Sequence, residues 1–310
     1  MISQLSILIP TRNNVCVALV KEIQRQAEHI SNSFRSMKEP HTFCYEIIVA
    51  DDGSDNHHAV EQNMLINNIP NCTYIIRKQN VGRAAIRNFL AQSARFCWLL
   101  YIDSGMTADN PSYLNNWLNA DLSDITYGGY TVSADPEWST TNLRYKYESR
   151  YERKHKAAIR NKNPYLNFHT SNFIARREVV INNPFNEQIT TYGYEDVLWG
   201  KKLKNANVSI THNDNTLTFK RNESNEAFIS KTEEAMKTLL TLENDMKGYS
   251  GVTDMAHILQ KTRLLKTSAA LFKTLEKQIR RNLTGNKPSL FLFNIYKLGY
   301  FITLKSRQLQ

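Results

Sequence analysis

The chain has 310 residues, 41% of them hydrophobic and 22% charged, with 11 Gly and 8 Pro. That length and mix predict one large or two modest globular domains, and they exclude collagen-like and Pro/Gly-rich disordered chains. The formal net charge is +10 and it is uneven: residues 228–310 hold 14 Lys/Arg against 6 Asp/Glu, so an anionic partner would belong to that tail. No run of 18 apolar residues is present, and the opening MISQ leads into LSILIP without the charged and apolar regions of a signal peptide, so a cytoplasmic location is expected. The four cysteines, Cys16, Cys44, Cys72 and Cys97, form no CxxC pair, so neither a disulfide framework nor a zinc site is expected.

In chain order, Leu5–Pro10, Tyr45–Ala50, Thr73–Arg77 and Trp98–Asp103 are short apolar runs of strand length. The segments 15–35, 56–68 and 82–95 carry apolar residues at helical spacing. Apolar strands alternating with helices predict an α/β layer around a mostly parallel sheet. Ligands of such sheets bind beyond the carboxyl ends of the strands. Chemistry is therefore sought in Thr11, Arg12 and Asn13, in Asp51-Asp52-Gly53-Ser54, and in Asp103-Ser104-Gly105. Further on, Thr126–Val132 reads as one strand and Leu143–Lys162 as a polar helix. Asn172–Ala175 and Asn207–His212 read as strands flanking a helix that begins near Tyr194. Helices are expected over 226–247, 254–282 and 288–306, the last two separated by the NKP at 286–288. The predicted domains are 1–224, carrying the sheet, and 225–310, a basic helical extension.

The acids at these strand ends are the candidates for chemistry. DDGS also suits a turn, with Ser54 or Asp55 able to cap the next helix. Asp103 closes a second strand of the same sheet, so the two sites converge on one cleft. Glu195 and Asp196 open a helix after Gly193-Tyr194, and neighbours on a helix point about 100° apart, so one of the two carboxylates should face the cleft. Competing chemistries lack their motifs. PTRNN stands where a dinucleotide fingerprint would, and there is no P-loop, HExxH or G-x-S-x-G. His57 and His58 are adjacent, without ligand spacing, and read as helix-surface residues.

Together these residues resemble the family 2 glycosyltransferases, which have the GT-A nucleotide-sugar-binding fold. The resemblance covers about 1–245. It rests on LSILIPTRNN, VADDGSD, NVGRAAIRN at 80–88, YIDSG, GGY at 128–130, HTSNFIARREV at 169–179, GYEDVLWGKKL at 193–203, and HNDN followed by KTEEAMKTL. It implies transfer of a sugar from a UDP- or GDP-sugar to a hydroxyl of a glycan or lipid-linked acceptor, in one displacement with inversion, as in polysaccharide biosynthesis. It implies that Pro10, Thr11, Arg12, Asp51 and Asp52 bind the nucleotide, with Thr11 and Asp52 on the base. Arg87 would help hold the nucleotide beside Asn88, and Asp103 would hold the ribose or a metal. Asp196 would be the general base and Glu195 the second choice, since an alcohol needs a carboxylate to take its proton.

The chain departs from the family's pattern at two metal positions. An acid usual two residues after Asp103 is Gly105, and Phe219 stands where a histidine is common. Mn2+ or Mg2+ would be left with Asp103, phosphate oxygens and water. Lys220 and Arg221, with Arg12, are therefore assigned to neutralise the diphosphate in the metal's place. A solvated Lys220-Arg221 pair, and His212 as a replacement ligand, are the alternatives. A catalytically inactive nucleotide- or glycan-binding subunit is the alternative to an enzyme. In the tail, Lys261, Arg263, Lys266, Lys273, Lys277, Arg280 and Arg281 interleave with Leu259, Leu264, Leu265, Leu271, Phe272, Leu275 and Ile279, and Ser289–Leu304 is apolar except at Asn294 and Lys297. This suits a peripheral contact with an anionic membrane surface at its inner face, against packing on the catalytic domain or a homodimer contact. No nucleic-acid-binding motif is present, and none is expected as partner.

Overall fold

The computed structural model describes residues 2–36, 43–133, 135, 137–152, 156–220 and 223–308. The chain divides into two compact units. One comprises Met1–Ser133, Lys154–Thr190 and Glu195–Arg221; the other comprises Ala134–Arg153, Thr191–Tyr194 and Asn222–Gln310.

The first unit opens with β1 (Gln4–Thr11), α1 (Val17–Ser36), β2 (Cys44–Asp51), α2 (His57–Met64, followed by a 3-10 turn at Leu65–Asn68), β3 (Cys72–Ile76), α3 (Arg83–Ser93) and β4 (Trp98–Ile102). After these come β5 (Met106–Thr107), α4 (Tyr113–Leu118), β6 (Ile125–Tyr127) and β7 (Tyr130–Val132). The short helices α5 (Trp138–Thr141) and α6 (Leu143–Glu152) belong to the second unit. The first unit resumes with α7 (Ala157–Arg160), β8 (Asn172–Arg176), α8 (Arg177–Asn182), α9 (Glu195–Asn205), β9 (Ile210–His212) and β10 (Leu217–Phe219).

Seven strands form one sheet in the order β3-β2-β1-β4-β8-β6-β9, in which β8 alone runs against its neighbours. The apolar strands are buried on both faces, as a helix-covered sheet requires. Ile7, Ile9, Ile47, Val49 and Leu100 pack with α1 and α4 on one side, and Leu8, Ile48, Leu99 and Tyr101 pack with α3, α8 and α9 on the other. Each such side chain, fully buried, contributes roughly 1.5–3 kcal/mol. The fold is the expected α/β layer. The carboxyl ends of β1, β2, β4, β6 and β9 share one edge, where the β8 strand begins.

Several element boundaries differ from the expected ones. The run 126–132 is two strands rather than one: β6 stays in the large sheet, and β7 joins β5 and β10 in a small sheet of order β5-β10-β7. Gly128-Gly129 makes the break. Gly129 sits at φ 79, and a Cβ there would lie 2.5 Å from Nη1 of Arg160, so only glycine fits. The expected 143–162 helix likewise ends at Glu152, with α7 a separate turn; residues 153–155 lie outside the described residues.

The second unit is helical throughout its described residues. With α5 and α6 it contains α10 (Asn225–Thr241), α11 (Gly251–Lys261), α12 (Leu265–Thr284) and α13 (Leu290–Gln308). The expected helix 254–282 is two helices, because Arg263 takes the left-handed conformation (φ 63) between α11 and α12. Leu143, Phe228, Ile229, Phe272, Ile279, Leu283, Phe293 and Tyr296 form this unit's core. Phe272 meets Tyr296 at 5.7 Å, and the Ser289 N–H donates to Asn282 Oδ1 (3.0 Å), so α12 and α13 form an antiparallel hairpin.

Candidate active site

The site is built around the N-terminal half of α3. Gly82 precedes this helix and offers no side-chain cap. The Asp52 carboxylate serves instead, accepting the N–H groups of Val81 (2.8 Å) and Gly82 (3.0 Å). An anion at a helix N-terminus satisfies orphan donors and meets the positive end of the dipole. Burial raises the Asp52 pKa, against the lowering effect of the Val81 and Gly82 N–H groups and of the Arg12 and Arg77 charges. The tight path from β2 into this contact needs Gly53 (φ 65), where a Cβ would come 2.5 Å from the Asn80 nitrogen.

Asp51 plays a different part from the expected one. It is fully buried, and its oxygens accept from the Ser54 N–H (2.7 Å), the Ser54 hydroxyl (2.8 Å) and the Tyr74 hydroxyl (2.6 Å). Three internal donors engage it in holding the turn. Ser54 is thereby engaged as well, and α2 is capped by Asn56, whose side chain accepts from the Ala59 N–H at 3.1 Å. His57 and His58 are exposed at the start of that helix. Thr11 is buried and donates its hydroxyl to the Asn14 carbonyl (3.1 Å), while Arg12 beside it is exposed.

One turn into α3, Arg87 is 1% exposed and ties two acids together. Its Nη2 lies 2.9 Å from Asp103 Oδ1, and its Nη1 lies 3.6 Å from Glu195 Oε1. Arg83, on the outer side of the same helix, reaches Glu195 at 3.3 Å. The next residue, Asn88, holds the loop after α8 through both amide atoms, bonding the Phe185 carbonyl (3.0 Å) and N–H (2.9 Å). A single helix therefore carries Asp52 at its tip and links Asp103 at the end of β4 to Glu195 at the start of α9.

The two acids of α9 part company, as the helical geometry predicts. The Glu195 side chain is 4% exposed and held by arginines, whereas Asp196 is 20% exposed and meets Nδ1 of His169 at 3.1 Å. Burial disfavours the Asp196 charge, but the His169 hydrogen bond and charge, the Val197 N–H and Arg87 outweigh it and hold the carboxyl below its usual range. His169 is a contact the sequence reading did not single out. It lies on the approach to β8, 27 residues before its partner, and no local pattern could connect them.

The remaining predicted cations and ligands lie elsewhere. Lys220 is half-exposed and pairs with Asp109 at 3.0 Å. Arg221 lies outside the described residues. His212 is engaged through both ring nitrogens: Nδ1 accepts from Nε of Arg160 (3.2 Å) and Nε2 meets the Pro164 carbonyl (2.9 Å). Burial lowers its pKa to about 4, so the ring is neutral near pH 7, with both nitrogens engaged within the protein.

The model of the family described as "Glycosyl transferase family 2" matches residues 6–182. The chain belongs to glycosyl transferase family 2. No curated protein sequence matches it. Among solved structures, S. aureus TarS 1-349 is similar at 14% identity over 99% of this chain and 92% of that one, with a TM-score of 0.50. The same protein, with the same figures, has been crystallised in complex with UDP-GlcNAc. The mannosyltransferase PcManGT from Pyrobaculum calidifontis, in complex with GDP-Man and Mn2+, is similar at 12% identity over 98% of this chain and 86% of that one, with a TM-score of 0.54. At those identities the likeness is one of fold, the GT-A fold.

Among the described residues of this family 2 chain, the side chains around Asp103 do not make a cage for Mn2+ or Mg2+. Phe219 on β10 pairs in register with Met106, next to Gly105, so the two non-ligating positions are brought together beside Asp103. Phe219 is apolar and its ring lies tilted against Tyr130 (6.4 Å between centroids). Asp103 itself shares an oxygen with Arg87. Among the described residues no group of three or more His, Cys, Asp or Glu could hold an ion. A hard cation takes six or more oxygens, and one shared carboxylate is the protein's contribution here.

Proposed function

We propose that this chain transfers a glycosyl group from a nucleoside-diphosphate sugar to an acceptor hydroxyl, with inversion in one displacement. The observation that carries the reading is the linked set Asp52, Arg87, Asp103 and Glu195, joined through α3 at the carboxyl edge of the sheet, with Asp196 next to Glu195 at the start of α9. In the reading, the nucleotide lies along Pro10, Thr11, Arg12 and Asp52, and Asp103 receives the ribose. Removal of the acceptor proton belongs to the start of α9, where Asp196 reaches solvent. The bound nucleotides named for TarS and PcManGT support a UDP- or GDP-sugar as donor. An intact acid set favours an enzyme over an inactive binding subunit.

The departing diphosphate gains negative charge that must be met. Fixed cations are proposed to meet it, namely Arg12 at the end of β1 and Lys220-Arg221 after β10, with Lys220 exchanging Asp109 for phosphate. A thermal-shift screen across nucleotide sugars tests the donor, since a ligand that binds only the folded state raises its melting point. UDP or GDP and one cognate sugar nucleotide should raise it; no shift with any of them, and no transfer to any hydroxyl acceptor, would overturn the reading.

The proposed setting is an anionic membrane surface, contacted by the second unit as a helical extension roughly over 225–310. From Met255 to Gln310 there are 11 Lys/Arg and one acid, Glu276. The structure sorts the tail's apolar residues: Leu265, Phe272 and Ile279 are buried, while Leu264, Leu271, Leu275, Phe291 and Ile295 are exposed at 51%, 62%, 42%, 71% and 37%. Leu271 and Leu275 on α12, and Phe291 and Ile295 on α13, project to the same flank of the antiparallel hairpin, because each pair stands on the same side of the Phe272–Tyr296 seam. Exposed apolar ridges beside an excess of cations, of which Arg280 and Lys305 are paired with Glu233 and Glu243, suit insertion among anionic headgroups. No helix among the described residues is long and apolar enough to cross a membrane.

A further inference from the structure

We propose that the Ser171 hydroxyl binds a sugar hydroxyl of the donor, beside the Asp103 carboxylate, and so helps set which donor the site accepts. The inference deepens the glycosyl-transfer reading and rests on it.

The placement of Ser171 follows from the sheet. β8 runs antiparallel to β4, with Ile102 opposite Asn172 and Tyr101 opposite Phe173. The Asp103 N–H donates to the Ser171 carbonyl (2.9 Å), which extends the pairing by one residue at the carboxyl edge. Side chains alternate along a strand, and cross-strand partners share a face. The Tyr101 and Phe173 rings stack at 4.6 Å on the side covered by α3, α8 and α9. Asn172 points to the other side, where its Oδ1 accepts from the Tyr113 hydroxyl of α4 (2.6 Å). Asp103 and Ser171 therefore form the row beyond Tyr101 and Phe173 on the α3 side, where Asp103 meets Arg87.

Ser171 is 9% exposed, and its Oγ has no hydrogen-bond partner among the described residues. A buried hydroxyl without a partner is a net cost to folding, and alanine at this position would avoid it. Nε of Arg87 is a second buried polar atom without an acceptor among the described residues. The two residues that hold Asp103, one at its backbone and one at its side chain, thus each carry an unused donor. Asp103 gives Oδ1 to Arg87 and is 26% exposed at its side chain, so it opens this group to solvent. A carboxylate that only accepts, next to donors that lack acceptors, matches a group that both donates and accepts. A sugar hydroxyl is such a group: it gives its proton to Asp103 and takes the Ser171 O–H on a lone pair. A phosphate oxygen or a base carbonyl only accepts, and would face the Asp103 anion with no proton between them. The Ser171 oxygen is itself covered, so the contact includes a turn about χ1 between staggered positions. The donor carries hydroxyls on its ribose and on the transferred sugar, and both present this chemistry.

The test compares the full chain with Ser171→Ala, by calorimetric binding and by urea unfolding. The probes are UDP or GDP, whichever the unmodified protein binds, its 2′-deoxy and 3′-deoxy forms, and the matching sugar nucleotide from the thermal-shift screen. Ser171→Ala should unfold at an equal or higher urea concentration, since it removes an unpaired buried hydroxyl. It should bind the intact sugar nucleotide about 3–10-fold more weakly, the worth of one neutral hydrogen bond. If the ribose supplies the hydroxyl, the variant binds the plain diphosphate more weakly as well. Removing the 2′- or 3′-hydroxyl then weakens binding to the unmodified protein by a similar factor and leaves the variant unchanged. If the transferred sugar supplies it, both proteins bind the plain diphosphate equally and differ only toward the sugar nucleotide. Three results would each overturn the assignment of Ser171 alone: a variant that binds every probe within twofold of the unmodified protein, one that loses affinity for the plain diphosphate yet keeps the full penalty for both deoxy forms, or one that unfolds at lower urea. An unmodified protein that binds neither a nucleoside diphosphate nor a sugar nucleotide would overturn the glycosyl-transfer reading together with it.

Discussion

Arg87 is the point at which stability and chemistry are tied most closely. It is a buried guanidinium 2.9 Å from Asp103 and 3.6 Å from Glu195. Replacing it by methionine keeps most of the side chain's apolar length and removes the charge. Breaking a buried pair by deleting one partner costs about 3–5 kcal/mol, because the other charge is left without compensation. Here two features place the cost at the lower end. Asp103 is 26% exposed at its side chain, and Glu195 retains Arg83 at 3.3 Å. The expected loss for Arg87→Met is therefore about 3 kcal/mol in urea unfolding. Glu195→Gln in the same background should recover at least about 1.5 kcal/mol, since it removes the stranded anion. A loss below about 1 kcal/mol, or strict additivity of the two changes, would refute the account of Arg87 as the clamp between β4 and α9.

Three further outcomes follow from named groups. His212 is held neutral to about pH 4 by burial, whereas an unfolded histidine titrates near 6.5, so the unfolded state takes up its proton first as the pH falls. Stability should drop between about pH 6.5 and 4 by roughly 3 kcal/mol from this ring and stay level below, and His212→Gln should flatten that slope in urea titrations; identical slopes would reject it. Transfer measured in excess EDTA should persist, because the leaving diphosphate is assigned to fixed cations, and abolition with rescue by Mn2+ would reject that assignment. In liposome flotation, Leu271→Glu/Leu275→Glu should release the chain from anionic vesicles while leaving soluble-acceptor transfer intact; equal flotation of both proteins would remove the membrane proposal.

The sequence by itself determined the large sheet and its active edge. Four apolar runs of strand length alternating with helices can bury both faces only as a covered parallel sheet, and LSILIP, YEIIVA and WLLYID state that pattern locally. The choice between Glu195 and Asp196 was also half-legible, since adjacent helical residues diverge by about 100°, and only which of them turned inward was open. The tertiary structure decided what each polar group does once paired. Asp51 and Asp52 are neighbours in one motif, yet one carboxylate closes its own turn and the other caps a helix 30 residues on. Gly128-Gly129 splits an apparently continuous strand because Arg160, 31 positions later, needs the space. The Asp196–His169 contact likewise joins residues from separate elements. Periodicity and turn chemistry are local and can be read along the chain. The partner of a buried charge is set by where the packed elements bring it, because a low-dielectric interior requires a counter-charge or hydrogen bond that sequence distance does not specify.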